Sequence, residues 1–233
     1  MSKIRFGLYL IPEDSELYQV GSTVTGYDIR GQRSIAPPSY INPMWQTVAS
    51  EYGFHVTITD AIDIDSSKLP TVSQHVRQVL ACLKETNVYA LTKKRVGFWG
   101  EGRADAALVL TPNRPVEILH DVLVSVIHPL GMGSAYVDAY NDHPETYFVD
   151  SPAQVEKTRQ FYAPYIFDEF VPHFTCINPF TGTTRQREEL EEALREQFAS
   201  VETVEFHTLA LVTKAVDESH YKIIEEFDLH TAR

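Results

Sequence analysis

Alternating hydrophobic and polar positions mark two strands in the first part of the chain. In residues 4–10 the even positions carry Ile, Phe, Leu and Leu, whereas the odd positions carry Arg5, a glycine and Tyr9. In residues 54–64, His55 and two threonines lie on one face, opposite Phe, Val and Ile. Successive side chains of a strand point to opposite faces, so each segment is predicted to bury one face and present a polar one.

Helical periodicity and turn residues divide the rest of the chain. Apolar stripes at spacings of three and four predict helices, and shorter apolar runs predict strands. The helices are predicted over 72–84, 116–127, 152–162 and 184–198, and further strands over 95–99, 106–110, 174–177, 202–214 and 221–229. Residues 13–42, with three glycines and a Pro-Pro pair, are predicted to be irregular, and residues 129–150 to be a loop or insertion.

The order of these elements favours an α+β fold with antiparallel sheets over a doubly wound parallel sheet. The two halves of the chain repeat one logic of strand, helix and two strands, and each half has one polar-faced strand that carries a histidine. The glycine pairs at 100/102 and 131/133 lack the further glycine and helix start of a dinucleotide-binding loop. We predict one domain over 1–233.

Composition and charge restrict the partners. The 233 residues are 43% hydrophobic, and 20 Lys and Arg against 32 Asp and Glu give a formal net charge of −12. Neutralised phosphates supply most of the affinity for duplex nucleic acid, so this acidity argues against that partner and against an anionic membrane surface. A small phosphate ester in a local pocket remains compatible with it.

Cysteine usage and the N-terminus predict a cytoplasmic protein. Two cysteines, Cys82 and Cys176, exclude a disulfide scaffold and a paired-cysteine zinc or redox site. The apolar run at the N-terminus meets Pro12 and two acidic residues, so it is too short and wrongly flanked for a signal peptide or a membrane span. The sequence has no HExxH motif or compact His/Asp/Glu cluster, and no metal or cofactor is expected.

Most of the nine histidines have an ordinary structural interpretation. His120 lies opposite the apolar stripe of its helix and is expected to be exposed. His128 ends that helix, where a protonated ring would interact favourably with the helix dipole. His55 and His173 differ from the others, because each begins a predicted strand in the pattern His, apolar, Thr, apolar.

The two His-x-Thr patterns are candidate catalytic motifs. Alternation puts His55 and Thr57 on one face, about 7 Å apart along the strand, and does the same for His173 and Thr175. A structural interpretation, with each ring on a sheet-edge carbonyl and each threonine present for β propensity, explains the pattern alone equally well. The functional interpretation is phosphodiester cleavage: one imidazole takes a proton from water, the other returns one to the departing oxygen, and the hydroxyls bind nonbridging oxygens.

These motifs and their flanks resemble those of the two-histidine (2H) phosphoesterase superfamily. The match is closer to a branch often encoded beside bacterial phosphonate-utilisation genes. It rests on RFGLYLIP at 5–12, VGS at 20–22, YGFHVT at 52–57, YIFDEFVPHFT at 165–175, LAL at 209–211 and the closing residues 221–229. After the first motif the branch continues with a basic residue and Pro-Phe, whereas this chain reads Thr-Asp-Ala-Ile at 59–62.

The resemblance implies a bilobal, pseudo-twofold α+β fold, with the two motif strands facing each other across a central cleft and helices outside. It implies His55 and His173 as general acid and base and Thr57 and Thr175 as phosphate ligands. The implied reaction is metal-independent hydrolysis of a small cyclic phosphate, such as a 2′,3′-cyclic nucleotide or a ribose cyclic phosphate. We expect His173 to activate water and His55 to protonate the leaving oxygen.

Further cleft residues and two alternative functions accompany this hypothesis. The candidate cleft residues are Arg5, Tyr9, Tyr52, Trp99 and Lys214, for each of which packing or a solvated charge is the simpler interpretation. One alternative function is processing of a short RNA end, which an exposed basic rim would favour. The other is a non-catalytic module that binds a phosphorylated ligand. The sequence does not fix the oligomeric state.

Overall fold

A curled antiparallel sheet organises the part of the chain that the computed structural model describes, residues 2–83, 88–100, 102–142 and 151–230. The strands are β1 (Lys3–Leu10), β2 (Tyr27–Asp28), β3 (Arg33–Ser34), β4 (Val56–Asp65), β5 (Tyr89–Phe98), β6 (Ala106–Pro112), β7 (Gly133–Ser134), β8 (His173–Ile177), β9 (Thr203–Phe206), β10 (Thr208–Ala215) and β11 (Lys222–Asp228). The helices are α1 (Ser15–Thr25), α2 (Ala49–Tyr52), α3 (Leu69–Cys82), α4 (Arg114–Ile127), α5 (Ala135–Asp142), α6 (Pro152–Phe161) and α7 (Thr184–Gln197). The α+β class is therefore as predicted.

The strand order shows that the sheet curls back on itself. The order is β11-β10-β1-β4-β8-β6-β5-β9, with β7 paired on β4. Only His207 separates β9 from β10, although these strands lie near opposite ends of the order. The backbone N–H of Leu229 also donates to the carbonyl of His207 at 2.7 Å. The predicted single strand over 202–214 is therefore wrong, because the chain leaves one end of the sheet at His207 and joins the other.

Each side of the sheet contains strands from both halves of the sequence. On one side of the β4–β8 junction lie β1, β10 and β11, and on the other lie β6, β5 and β9. Each side thus combines strands from early and late in the chain, and each contributes one motif strand to the junction. The two halves of the sequence therefore exchange strands, and pairing between distant segments decides which strands meet.

Helix α1 and the short strands β2 and β3 occupy part of the segment 13–42, which was predicted to be irregular throughout. The Asp14 carboxylate accepts a hydrogen bond from the backbone N–H of Leu17 at 2.8 Å, and Gly26 ends the helix with a φ of 83°. Gly21 is a packing residue, because a Cβ there would stand 2.1 Å from the ring of Phe54. In a sequence, a glycine required for close packing against a neighbouring ring looks the same as a glycine in a turn. For this reason the helix was not predicted.

Part of the predicted loop over 129–150 is regular structure. Strand β7 pairs with β4 through Ser134 opposite Ile62, and helix α5 follows it directly. A two-residue strand is too short to show a period, and α5 has no buried residue to form a stripe. Residues 143–150 lie outside the described ranges.

The other predicted helices are confirmed with small shifts of their ends. Ser151 accepts a hydrogen bond from the backbone N–H of Gln154 at the start of α6, and Thr183 with Gln186 forms a capping box for α7. Within the described ranges, no helix has the length and hydrophobicity needed to cross a membrane.

Two histidines, His120 within α4 and His128 directly after it, correct the sequence prediction. His120 is 2% exposed, because residues such as Ala163 and Ile166 cover the second face of the helix through a contact with Val124. His128 is fully buried and its Nδ1–H donates to the carbonyl of Phe161. Burial lowers the pKa of His128 to about 4, so its ring is neutral and does not act as a charge on the helix dipole.

Candidate active site

The two His-x-Thr motifs meet where β4 pairs with β8. Val56 is the antiparallel partner of Phe174. Continuing this register by one residue in each direction places His55 opposite Thr175 and Thr57 opposite His173. Each histidine therefore lies across the strand junction from the threonine of the other motif.

Core packing turns the polar faces of these strands into the cleft. Val56 and Phe174 are fully buried, and the ring of Phe174 stacks on Phe54 with centroids 4.1 Å apart. Because side chains alternate along a strand, the intervening residues His55 and His173 point away from that core. Both rings line one cleft of about 720 Å³.

His55 is held by its own strand and by two aromatic rings. Its Nδ1 lies 3.0 Å from the carbonyl of Gly53, and its Nε2 lies 3.1 Å from the hydroxyl of Thr57. Tyr9 stacks on the imidazole at a centroid distance of 3.6 Å, and Tyr52 meets it edge-on at 5.2 Å. These contacts fix the ring plane before any ligand binds.

His173 repeats this arrangement with fewer constraints. Its Nδ1 lies 2.8 Å from the carbonyl of Val171, the residue two positions earlier, as Gly53 is for His55. Trp99 meets the ring edge-on at 4.9 Å. A carbonyl can only accept, so Nδ1 carries the proton in both neutral rings and Nε2 is the atom left for proton transfer.

The two rings differ in their electrostatics. Burial, reinforced by repulsion from His173, lowers the pKa of His55 to about 3. Burial also lowers the pKa of His173, but the nearby carboxylate of Asp105 opposes that change. Of the two imidazoles, His173 therefore holds a proton more readily.

Four of the five candidate cleft residues line the cleft. Arg5, Tyr9, Tyr52 and Trp99 are among its walls. Lys214 is not a lining residue: it forms an ion pair with Glu51 and lies 5.4 Å from the centre of the Tyr221 ring, behind the wall. Lys214 is therefore not among the cleft walls as predicted, and it contacts Tyr221, which does line the cleft.

Arg5 and Tyr52 are engaged by neighbours of their own. Arg5 donates to both carboxylate oxygens of Asp63, at 2.7 and 3.0 Å, and this pair braces β1 against β4. Burial raises the pKa of Tyr52 to about 12, although the side chains of Thr175 and Asn178 act in the opposite direction through hydrogen bonding. The Tyr52 phenol is therefore neutral and lies beside the second motif.

Sequence reasoning missed several ionisable residues of this cleft, among them Asp60 and His120. Asp60 follows the first motif on β4, where the strand departs from regular alternation, so its orientation was not predictable from spacing. His120 comes from α4 and was assigned to the exposed face of that helix. No signal in the sequence pattern indicated either residue.

No protein-family model matches the chain, and no curated protein matches it in sequence. The backbone is similar to that of E. coli LigT in its apo form, with a TM-score of 0.50 and 12% identity over 99% of this chain and 100% of LigT. A structure described as a phosphoesterase matches with a TM-score of 0.50 and 12% identity over 98% of this chain and 99% of that chain. The described residues therefore have the curled α+β fold of these proteins.

The described residues offer no evident metal centre. Among them, no group of three or more His, Cys, Asp or Glu side chains is arranged to hold a metal ion. The groups of the two motifs that converge in the cleft are the imidazoles of His55 and His173 and the hydroxyls of Thr57 and Thr175.

Proposed function

We propose that this protein is a phosphoesterase that hydrolyses a small cyclic phosphodiester, such as a 2′,3′-cyclic nucleotide or a ribose cyclic phosphate. The observation that carries the proposal is the reciprocal register of the motifs, with His55 opposite Thr175 and Thr57 opposite His173 in one cleft. A phosphorus atom between the strands would have one imidazole and one hydroxyl on each side.

The proton transfers follow from this symmetry. One neutral imidazole accepts a proton from water through its Nε2 as the water oxygen bonds to phosphorus. The bond from phosphorus to one ring oxygen breaks, and the second imidazole gives its Nε2 proton to that oxygen. Thr57 and Thr175 donate to the nonbridging oxygens, whose charge grows as phosphorus becomes five-coordinate. The product is an acyclic phosphate monoester.

The electrostatics favour His55 as the base and His173 as the acid. Burial keeps His55 neutral with a pKa of about 3, as a proton acceptor must be. Asp105 favours the protonated form of His173. This order is the reverse of the one expected from the sequence, because the position of Asp105 along the chain does not indicate that its carboxylate lies near the second ring.

The fold supports the same reaction class. One protein with this fold is described as a phosphoesterase, and the motifs resemble those of 2H phosphoesterases. The mechanism uses only imidazoles and hydroxyls, so activity is proposed to be independent of added metal ions. The formal charge of −12 favours a small substrate over duplex nucleic acid.

The test is a panel of cyclic phosphates incubated with the full chain in excess chelator, with products identified by phosphorus NMR. We expect turnover to a monoester, and a loss of about 10²–10⁴-fold in kcat/KM for His55→Ala and for His173→Ala. His207→Ala removes an exposed imidazole outside the cleft and is the matched control. Full activity in either cleft variant, or tight binding of the cyclic phosphates without turnover, would contradict the proposal.

A further inference from the structure

Irregular pairing directs Asp60 into the cleft. Along β1, Phe6 pairs with Ile62 and Leu8 with Thr59, so two steps on β1 correspond to three on β4. The extra residue is a β-bulge, which re-aims neighbouring side chains and is frequent beside active sites. Asp60 lies within this bulge and lines the cleft. Its orientation is therefore built into the sheet.

The carboxyl group of Asp60 has no hydrogen-bond donor among the described residues. Burial alone accounts for its altered ionisation and raises its pKa to about 7, with no opposing contribution from a donor or a cation. The side chain is half-buried in the cleft wall, and its carboxyl oxygens are available to accept a hydrogen bond from a ligand.

The other carboxylates of the cleft are already paired. Asp105 faces Arg103 at 3.6 Å, and Glu169 faces Lys157 at the same distance. The two arginines of the lining, Arg5 and Arg103, are each paired with a carboxylate. The described cleft therefore has little spare positive charge for a polyanion, and Asp60 is its one lining carboxylate without a paired donor in the described ranges.

Asp60 is also close to the proposed reaction centre. Its charge contributes to the raised pKa of Tyr9, and the ring of Tyr9 stacks on His55. Asp60, Tyr9 and His55 line the same cleft, so a substituent of a substrate bound there can meet the carboxyl group.

We propose that Asp60 is a specificity-determining residue that accepts a hydrogen bond from a hydroxyl or amino group on the part of the substrate outside the phosphate ring. This inference rests on the proposed function and narrows its substrate class. The substrate is a singly charged cyclic phosphodiester of a polyol or nucleoside that carries such a donor. Polyphosphorylated molecules are poor substrates, because every lining arginine in the described cleft already has an anionic partner.

A matched pair of substrates tests this assignment. Glycerol 1,2-cyclic phosphate and propane-1,2-diol cyclic phosphate differ by one hydroxyl group. We expect the wild-type protein to favour the glycerol compound by at least about tenfold in kcat/KM, as a site that hydrogen-bonds a donor rejects its analogue. Asp60→Ala should abolish this preference and leave kcat/KM for the propanediol compound within about twofold of wild type. Asp217→Ala, in an exposed turn outside the cleft, should retain the preference.

The outcomes separate this inference from the proposed function. An unchanged preference in Asp60→Ala, or an equal loss on both compounds, overturns the specificity role while hydrolysis itself stands. If the wild type hydrolyses neither compound, the Kd values of the same pair, measured by protein NMR, test Asp60 alone. In that measurement the role of Asp60 stands only if the wild type binds the glycerol compound more tightly than the propanediol compound and Asp60→Ala binds the two equally. The proposed function fails only if no cyclic phosphate of the panel is hydrolysed.

Discussion

The ring of His120 donates a hydrogen bond of 2.6 Å from Nδ1 to the carbonyl of Ile58, which follows Thr57 on β4. Its Nε2 accepts a hydrogen bond of 2.9 Å from the backbone N–H of Phe167, in the segment that leads to His173. One buried ring from α4 therefore joins the backbones beside both motifs. Because each ring nitrogen is engaged by a group of fixed polarity, the tautomer is defined and the ring must be neutral.

Replacing His120 by alanine should destabilise the protein. The change leaves the carbonyl of Ile58 and the N–H of Phe167 without partners, and it removes a ring stacked on Phe170 at 3.8 Å. We expect a loss of about 2–4 kcal/mol in the free energy of unfolding, measured in urea. His207→Ala is the exposed control. A loss below about 1 kcal/mol for His120→Ala would show that the bridge is not a structural element.

Acid should destabilise the fold through the buried histidines. Burial lowers the pKa of His120 and of His128 from 6.5 to about 4. Below pH 6.5 these two rings therefore bind protons in the unfolded chain but not in the folded one. Stability from these groups is complete above pH 6.5 and is lost as the pH falls towards 4, by up to about 1.4 kcal/mol per pH unit for each ring. His55 acts in the same direction, and Asp60, with a raised pKa, acts in the opposite one.

Urea unfolding at pH 7, 6 and 5 measures this dependence. The wild-type protein should lose stability on acidification. His128→Gln should reduce the slope of the unfolding free energy against pH, because about one proton fewer is bound on unfolding. The variant isolates a single ring from the other titrating groups, including Asp60. Equal slopes for the two proteins would contradict the assignment of a neutral buried His128.

Sequence alone predicted the structure where one buried face determines the pattern. The alternation around Tyr9 and around His55 predicted two strands, and both strands form. The second face is buried too, because Tyr9 and His55 stack on each other in the cleft wall. The capped helix at Ser151 was likewise a local feature. In these segments the physical cause lies within a few residues of its effect.

The remaining features depend on contacts between distant segments. The pairing of Val56 with Phe174 brings the motifs together, and neither strand encodes that partner by itself. The bulge that directs Asp60 arises from a mismatch between β1 and β4. Gly21 was interpreted as a turn residue because its close contact with Phe54 cannot be inferred from neighbours in sequence.

Asp105→Asn should move the pH profile of catalysis. In the proposed mechanism kcat/KM needs neutral His55 and protonated His173, so its alkaline limb follows the pKa of His173. Asp105 raises that pKa, and removing its charge should shift the limb to lower pH by about 0.3–1 unit. The value of kcat/KM at the pH optimum should change little, whereas the alkaline limb should move. Asp217→Asn is the control, and a limb that stays in place would argue against His173 as the acid.

The hydroxyl group of each motif threonine should contribute one hydrogen bond to the transition state. Thr57→Val and Thr175→Val keep the β-branched shape and remove the hydroxyl, so we expect kcat/KM for a cyclic phosphate to fall by about 10–10²-fold in each. Serine restores the hydroxyl and should recover most of the activity. Circular dichroism and urea unfolding check that the fold is retained. Valine variants with wild-type kcat/KM would exclude the threonines as phosphate ligands.

Gly21→Ala should reveal the link between α1 and the first motif. The added methyl group would stand 2.1 Å from the ring of Phe54, which stacks on Phe174 and directly precedes His55. Either the helix or the ring must move, at a cost of about 1–3 kcal/mol in the free energy of unfolding. A displaced Phe54 would also shift His55, so kcat/KM should fall in the folded variant. Gly100→Ala, whose added Cβ meets nothing nearer than 3.7 Å, should leave both quantities unchanged. Equal behaviour of the two variants would contradict the packing role of Gly21.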